Sequence, residues 1–160
     1  DTELMTGGTV LGSKSDSPLL EVFDGSKWSS VKVVKSLEGG SLQAVSVDSG
    51  TSAWIGGNQD ISASNSDDWQ LLVDHLAGTK WVAAAPKIPG KNAFLGALAS
   101  GGTHAWLFAT SWAGPPCSSK ATLVGYYWAK AAWASVTFPA GFGGPMIGSG
   151  WPAGSQMPRC

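Results

Sequence analysis

Residues able to perform acid–base or metal chemistry are few in this chain. The histidines are His75, which follows Asp74, and His104, and they occupy different points of the internal pattern described below. Together with Cys117 they do not form a ligand spacing typical of a zinc site. No nucleotide-binding or nucleophile-elbow fingerprint occurs. The sequence therefore predicts no catalytic residue, no metal site and no cofactor.

Charged side chains are divided unevenly along the chain. All eleven carboxylates lie between Asp1 and Asp74, whereas residues 75–160 contain five lysines, Arg159 and no acid. This separation has two interpretations, which are compositional drift in a secreted protein, or a dipolar molecule that docks by opposite faces, either head to tail or onto a charged partner. Scattered lysines without arginine clusters argue against a nucleic-acid partner.

Aromatic side chains are the strongest candidates for ligand binding. Nine tryptophans occur in 160 residues, while charged residues make up only 13%. Aromatic rings offer broad apolar faces on which sugars stack, with a polar edge for hydrogen bonds. Tryptophans that recur at a fixed spacing are typical of core positions, so the non-recurring aromatics are the better candidates. The predicted ligand-binding residues are Trp69, Trp112, Tyr126, Tyr127, Trp128 and Trp151.

The recurring residues define a repeat of about 52 residues. Trp28, Trp81 and Trp133 each follow an apolar run and are 53 and 52 residues apart, and Trp54 and Trp106 are also 52 apart. Two independent series at one spacing predict three units, at about 1–52, 53–104 and 105–160, within a single domain. The structural landmarks of the repeat are Asp24, Gly25, Trp28, Trp54, Gly78, Trp81, Trp106 and Trp133.

Each unit contains four short apolar runs separated by turn residues, which predicts β-strands and no long helix. Alternation in residues 41–47 places Leu42 and Ala44 on one side and Val45 on the other, so this strand is expected to be covered on both sides. The predicted strands are 5–12, 19–24, 28–34 and 42–48 in the first unit, 53–57, 70–75, 81–85 and 93–99 in the second, and 104–110, 122–128, 133–138 and 145–149 in the third.

Glycine marks the predicted hairpin turns of the first two units. Asp24-Gly25 and Ala77-Gly78 lie between apolar runs, where glycine readily adopts the positive φ that a tight hairpin needs. Ala129-Lys130 stands at the corresponding point of the third unit. The third turn is therefore expected to be looser or of another type.

The segments D-G-S-x-W at 24–28 and W-x-G-G at 54–57 resemble blades of β-propellers, of the kelch type and of Asp-box-like bacterial repeats. The resemblance implies an all-β, propeller-like fold of three four-stranded units. Propellers have about four to eight blades, so partner chains or a longer chain would supply the others. A β-trefoil or a three-sided β-prism is the alternative for twelve strands in three units, and another β-sandwich or barrel is a further one.

These features together predict a non-catalytic binding or interaction module. The first hypothesis is lectin-like carbohydrate binding through exposed aromatics. The second is an accessory subunit docking on a larger complex, because Asp-box-like propellers include photosystem assembly factors of the thylakoid lumen. The third is a fragment of a secreted glycosidase-type propeller, which the acid-free second half disfavours because glycoside hydrolysis uses two carboxylates.

The remaining sequence features concern location and cross-linking. The chain begins at Asp1, which we interpret as the processed terminus of a secreted, periplasmic or organelle-lumenal protein. Cys117 and Cys160 are a candidate disulfide, with two free thiols as the alternative. No apolar run reaches the length of about 18 residues that a membrane span requires. The expected partner is a carbohydrate or a protein, in an oligomer or larger assembly.

Overall fold

The computed structural model describes residues 4–10, 17–32, 35–61, 68–90, 92–114 and 120–140. These residues form eleven β-strands and one short 3-10 helix, Lys35–Leu37, with no α-helix among them. The strands are β1 (Leu4–Val10), β2 (Ser17–Phe23), β3 (Trp28–Ser30), β4 (Ser41–Ser49), β5 (Ser52–Asp60), β6 (Trp69–Ala77), β7 (Lys80–Ala83), β8 (Asn92–Gly101), β9 (His104–Trp112), β10 (Ala121–Ala129) and β11 (Ala132–Val136).

The all-β prediction is confirmed. Each of the first eleven strands expected from the sequence overlaps an observed strand, and the twelfth, at 145–149, lies outside the described residues. Within the described part of the chain, no helix has the length and apolar character needed to cross a membrane.

The strands form three open antiparallel sheets that follow one another along the chain. Sheet A has the order β1-β2-β3, sheet B the order β4-β5-β6-β7, and sheet C the order β8-β9-β10-β11. Sheets B and C therefore each join the last strand of one sequence unit to the first three strands of the next. The structural unit is offset from the sequence repeat by one strand.

Sheet B lies between sheets A and C and is covered on both sides. Successive side chains of β5 point to opposite sides, so Trp54 (2% exposed) packs toward sheet C and Ile55 (1% exposed) toward sheet A. Leu107 of β9 belongs to the first of these cores, and Leu20 and Leu37 belong to the second. Burying an apolar side chain of this size contributes about 1.5–3 kcal/mol, so the two junctions hold the stack together.

A β-bulge in β4 decides which side Leu42 faces. The register between β4 and β5 shifts between Leu42 and Ala44, which inserts one residue and reverses the alternation. Leu42 consequently packs toward sheet A and Ala44 toward sheet C, so the expectation that both share one side is wrong. A bulge in β8 lies between Leu95 and Ala97, and Leu95 follows Leu42 by 53 residues. The 52-residue repeat therefore also includes the position of a β-bulge in the backbone.

Trp28, Trp81 and Trp133 occupy equivalent positions on the outermost strands β3, β7 and β11. Trp81 packs into the core between sheets A and B, and Trp133 packs into the core between sheets B and C. Each of these two therefore faces the preceding sheet. Sheet A has no preceding sheet among the described residues, and Trp28 is 49% exposed.

The three hairpin turns beside these tryptophans differ in type. Asp24 accepts hydrogen bonds from the backbone amides two and three residues ahead, at 2.9 and 3.0 Å, and Gly25 has a φ of +96°. The β6–β7 turn has two residues, of which Gly78 has a φ of +70°. The β10–β11 turn also has two, but Lys130 and Ala131 both have positive φ, +52° and +59°. The third turn is of another type, as expected, and is not looser.

Candidate functional site

Two of the predicted ligand-binding residues are used in packing between sheets. Tyr126 and Trp128 of β10 both face sheet B, and Tyr126 is 8% exposed. The Tyr126 hydroxyl donates to the Lys87 carbonyl oxygen at 3.2 Å. Trp128 meets Trp54 and Trp133 edge to face, with ring centroids 5.1 and 5.3 Å apart. Tyr126 is therefore buried in this junction, and Trp128 is partly buried there.

Hydrogen bonds between polar side chains and backbone also close the junction between sheets B and C. Asn58 of β5 donates its amide to the Ala93 carbonyl oxygen at 2.9 Å and accepts from the Leu95 backbone amide at 3.2 Å. Ser46 of β4 accepts from both the amide and the hydroxyl of Ser100, each at 2.8 Å. Asn58 is 1% exposed, so these bonds satisfy polar groups that the stacking of the sheets removes from water.

Sheet C repeats the same arrangement on its other side, where no described sheet covers it. Trp106, Phe108 and Thr110 follow Trp54, Gly56 and Asn58 by 52 residues each. Trp106, Phe108, Thr110 and Tyr127 form what we call the outer face of sheet C, because the intervening residues of β9, Leu107 and Ala109, are buried toward sheet B. Trp106 is 39% exposed, in contrast to its buried counterpart Trp54.

The outer face of sheet C carries two groups of aromatic rings. His104 stacks on Tyr127, with ring centroids 5.3 Å apart and planes 15° from parallel, and Trp106 lies 5.3 Å from Tyr127. Phe138, from the segment after β11, packs on Phe108 at 6.0 Å and covers part of the face. Of the residues predicted to bind ligand, Tyr127 belongs to this face.

One polar atom on this face is buried without a partner. Thr110 is 3% exposed, and its hydroxyl oxygen has no hydrogen bond. Thr110 stands at the position where Asn58 binds the first strand of the next sheet. A buried hydroxyl without a partner costs about 1–3 kcal/mol, and a strand placed against the outer face of sheet C would supply hydrogen-bonding groups there.

Two other predicted ligand-binding residues meet at the opposite end of sheet C. Phe94 lies between Trp69 and Trp112, with ring centroids 4.8 and 5.8 Å away. The Asn92 side chain accepts from the Trp69 backbone amide and donates to the Gly114 carbonyl oxygen at 2.9 Å. We call Trp69, Phe94 and Trp112 the edge cluster. Phe94 is buried, Trp69 and Trp112 are half-buried, and the Trp69 indole nitrogen has no partner.

Sheet A has an outer face of its own. Leu20 points toward sheet B, so Glu21 and Phe23 point away from it, and Trp28 packs on Phe23 at 5.3 Å. Glu21, Phe23 and Trp28 have equivalents in the other two sheets. These are Asp74, Leu76 and Trp81 in sheet B and Tyr126, Trp128 and Trp133 in sheet C, and all six face the preceding sheet. We define the outer face of sheet A as Leu19, Glu21, Phe23 and Trp28. It is the equivalent surface on the first sheet, and it is half-exposed.

Asp74 and His75 are ionisable residues that lie at the junctions between sheets. Asp74, 1% exposed, accepts from the Ser36 hydroxyl at 2.6 Å, and burial raises the pKa of its carboxyl more than this hydrogen bond lowers it. Desolvation lowers the pKa of His75, and the charge of Asp48 offsets this in part. The described residues contain no group of three or more His, Cys, Asp and Glu that could hold a metal ion. The outer face of sheet C can therefore stack on other rings, exclude water and accept hydrogen bonds.

Comparison with known proteins identifies no relative of this chain. No protein-family model, no curated protein and no solved structure matches the chain. Three predicted residues, Trp151, Cys117 and Cys160, lie outside the described part of the chain. Thr110 and Phe108 were not singled out from the sequence, although the 52-residue spacing from Asn58 and Gly56 marks both positions.

Proposed function

We propose that this chain is a non-catalytic interaction module with a propeller-like architecture, whose outer sheet faces dock onto further β-sheets. The observation that carries the proposal is the equivalence of Trp106 and Trp54. Trp54 is covered by the next sheet of the stack, and Trp106, on the same strand position of sheet C, is open. A half-exposed aromatic surface that repeats the chemistry of a buried junction is suited to receive another sheet.

The size of the protein in an extract of the cells that produce it tests this proposal. The chain has a mass of 16.4 kDa, and we expect it to elute in a larger complex. Trp106→Asp places a charge in the middle of the docking surface, so this variant is expected to elute at the monomer size. Ile61→Asp is the matched control, because Ile61 is an exposed apolar residue (51%) outside both outer faces. A wild-type chain that elutes as a monomer would overturn the proposal.

Carbohydrate binding at the same face is the second candidate function. The ring set His104, Tyr127 and Trp106 favours it, because adjacent aromatic faces on a sheet allow sugar rings to stack. Glycan-array binding, followed by titration of tryptophan fluorescence with each bound glycan, tests it. A true site would lose its fluorescence change in Trp106→Phe and keep it in Trp28→Phe, and the absence of any glycan-dependent change would exclude this candidate.

A further inference from the structure

The two outer faces of the stack each carry the aromatic residues of one side of the same kind of junction. The junction between sheets B and C pairs the Trp54 side of one sheet with the Trp128–Trp133 side of the next. The outer face of sheet C repeats part of the first half of this junction, with Trp106 and Thr110 in the places of Trp54 and Asn58, and with Phe108 in the place of Gly56. The outer face of sheet A repeats part of the second half, with Phe23 and Trp28 in the places of Trp128 and Trp133, and sheet A has no strand equivalent to β8 among the described residues.

We propose that these two faces bind each other between two copies of this chain, head to tail, so that sheet C of each copy covers sheet A of the other. This inference rests on the proposed function and names its partner. In the pair, Trp106 meets Phe23 and Trp28 of the second copy, as Trp54 meets Trp128 and Trp133 within one chain.

Charge supports a second copy as the occupant. Residues 1–40, which include sheet A, contain six acids against four lysines, whereas residues 92–160, which include sheet C, contain Lys120, Lys130, Arg159 and no acid. A head-to-tail contact therefore brings unlike charges together, while a contact between two sheet C faces brings like charges together. Glu21 is the carboxylate on the outer face of sheet A, and the sequence of sheet C contains no acid to oppose it.

The number of sheets supports closure with two copies. Stacks of radially arranged sheets close with about four to eight members, and the described residues of one chain form three. Two copies supply six, within that range. A head-to-tail interface ends either in a closed ring or in an open filament, and the count of six predicts the closed pair.

Sedimentation equilibrium of the purified chain tests the pairing, because no other protein is then present. We expect twice the chain mass of 16.4 kDa at micromolar concentration. Trp28→Asp and Trp106→Asp each place a charge in both interfaces of the pair, so each variant alone is expected to be monomeric. Ile61→Asp is expected to pair like the wild type. Trp28→Gln and Trp106→Gln, with near-ultraviolet circular dichroism, separate lost pairing from lost folding.

Mixing the two aspartate variants gives the decisive measurement. A Trp28→Asp chain keeps its sheet C face, and a Trp106→Asp chain keeps its sheet A face, so the mixture regains one intact interface and is expected to form a one-to-one pair. Pairing that Trp106→Asp abolishes and Trp28→Asp leaves intact would show a symmetric contact and overturn the proposal. A concentration-dependent series of larger species would overturn closure by two copies.

The same experiments separate failure of the pairing from failure of the proposed function. A purified chain that stays monomeric, combined with a Trp106-dependent complex in the native extract, would overturn pairing with a second copy and leave the interaction module standing. A chain that is monomeric in both settings would overturn both.

Discussion

The His75 imidazole lies flat on the Trp54 indole, with ring centroids 4.2 Å apart and planes 14° from parallel. Trp54 is 2% exposed and is enclosed on its other sides by Trp128 and Trp133. Desolvation lowers the pKa of His75, and the charge of Asp48 restores only part of it. The junction between sheets B and C therefore favours the neutral imidazole.

Stability is expected to fall as the pH drops from about 6.5, the ordinary histidine pKa, through the lowered pKa of the folded state. In that window the unfolded chain takes up a proton that His75 in the folded chain does not, so protonation favours unfolding. Urea unfolding monitored by tryptophan fluorescence at several pH values measures the slope. We expect the free energy of unfolding of His75→Gln to depend less on pH than that of the wild type. The same slope in both proteins would contradict the assignment of this pH dependence to His75.

Asp74 is expected to give the opposite pH dependence. Burial raises the pKa of this carboxyl, so the folded state favours the protonated form. Its stabilising contribution is complete below the ordinary pKa of about 3.9 and is lost as the pH rises through the raised value. Asp74→Asn should therefore be more stable than wild type at pH 7 and no more stable near pH 3, measured by urea unfolding.

The control for Asp74 is its hydrogen-bond donor. Ser36→Ala leaves the carboxylate without the 2.6 Å bond and should destabilise the chain by about 1–3 kcal/mol at pH 7. Equal stability of Asp74→Asn and wild type at every pH would mean that the carboxyl is as well solvated in the folded chain as in the unfolded one.

Asn58 and Thr110 provide a matched pair of polar residues at one position of the repeat. Asn58→Ala removes two hydrogen bonds across the junction between sheets B and C and leaves backbone groups buried, so we expect a loss of about 2–3 kcal/mol. Thr110→Val removes a hydroxyl without a partner and should leave the stability unchanged or raise it by up to about 1 kcal/mol.

Both variants should be compared by urea unfolding at a concentration at which sedimentation shows the chain to be monomeric. A Thr110→Val variant destabilised as strongly as Asn58→Ala would show that the Thr110 hydroxyl is satisfied within one chain. It would also remove one support for docking at the outer face of sheet C.

The β10–β11 turn holds two residues in a conformation that glycine and asparagine adopt more easily. Lys130 and Ala131 both have positive φ, and left-handed backbone costs about 1–2 kcal/mol per ordinary residue. Replacing them by Asn and Gly, the preferred pair for a turn of this type, should stabilise the chain by about 1–2 kcal/mol in thermal or urea unfolding.

The β6–β7 turn supplies the reverse control. Gly78 has a φ of +70°, and a Cβ built there meets nothing within 4 Å. Gly78→Ala should therefore cost about 1 kcal/mol through its backbone alone. An unchanged stability in both the Asn-Gly variant and Gly78→Ala would show that the turns do not carry strain in solution.

The strands could be predicted from the sequence because apolar runs and turn residues alternate at short, regular distances. Trp81 and Trp133 also proved to be equivalent core positions, as their spacing indicates. The sheet boundaries could not be predicted, because pairing between the last strand of one unit and the first strand of the next depends on contacts distant in sequence. The bulge beside Leu42 could not be predicted from the sequence for the same reason.

Burial of the candidate site depended on neighbours rather than on residue type. Trp54 and Trp106 end similar sequence segments, yet the first is buried by sheet C and the second is open. Tyr126 and Tyr127 are adjacent in β10 and face opposite sides, so Tyr126 packs toward sheet B and Tyr127 lies on the outer face of sheet C. A list of aromatic residues cannot separate these cases without knowing which sheet lies beside each face.

The bulges of β4 and β8 lie in strands that form one edge of sheet B and of sheet C. An interrupted, twisted edge is a poor template for adding a strand from another molecule by backbone hydrogen bonds. These two edges can therefore resist strand addition while the sheet faces beside them remain available for association.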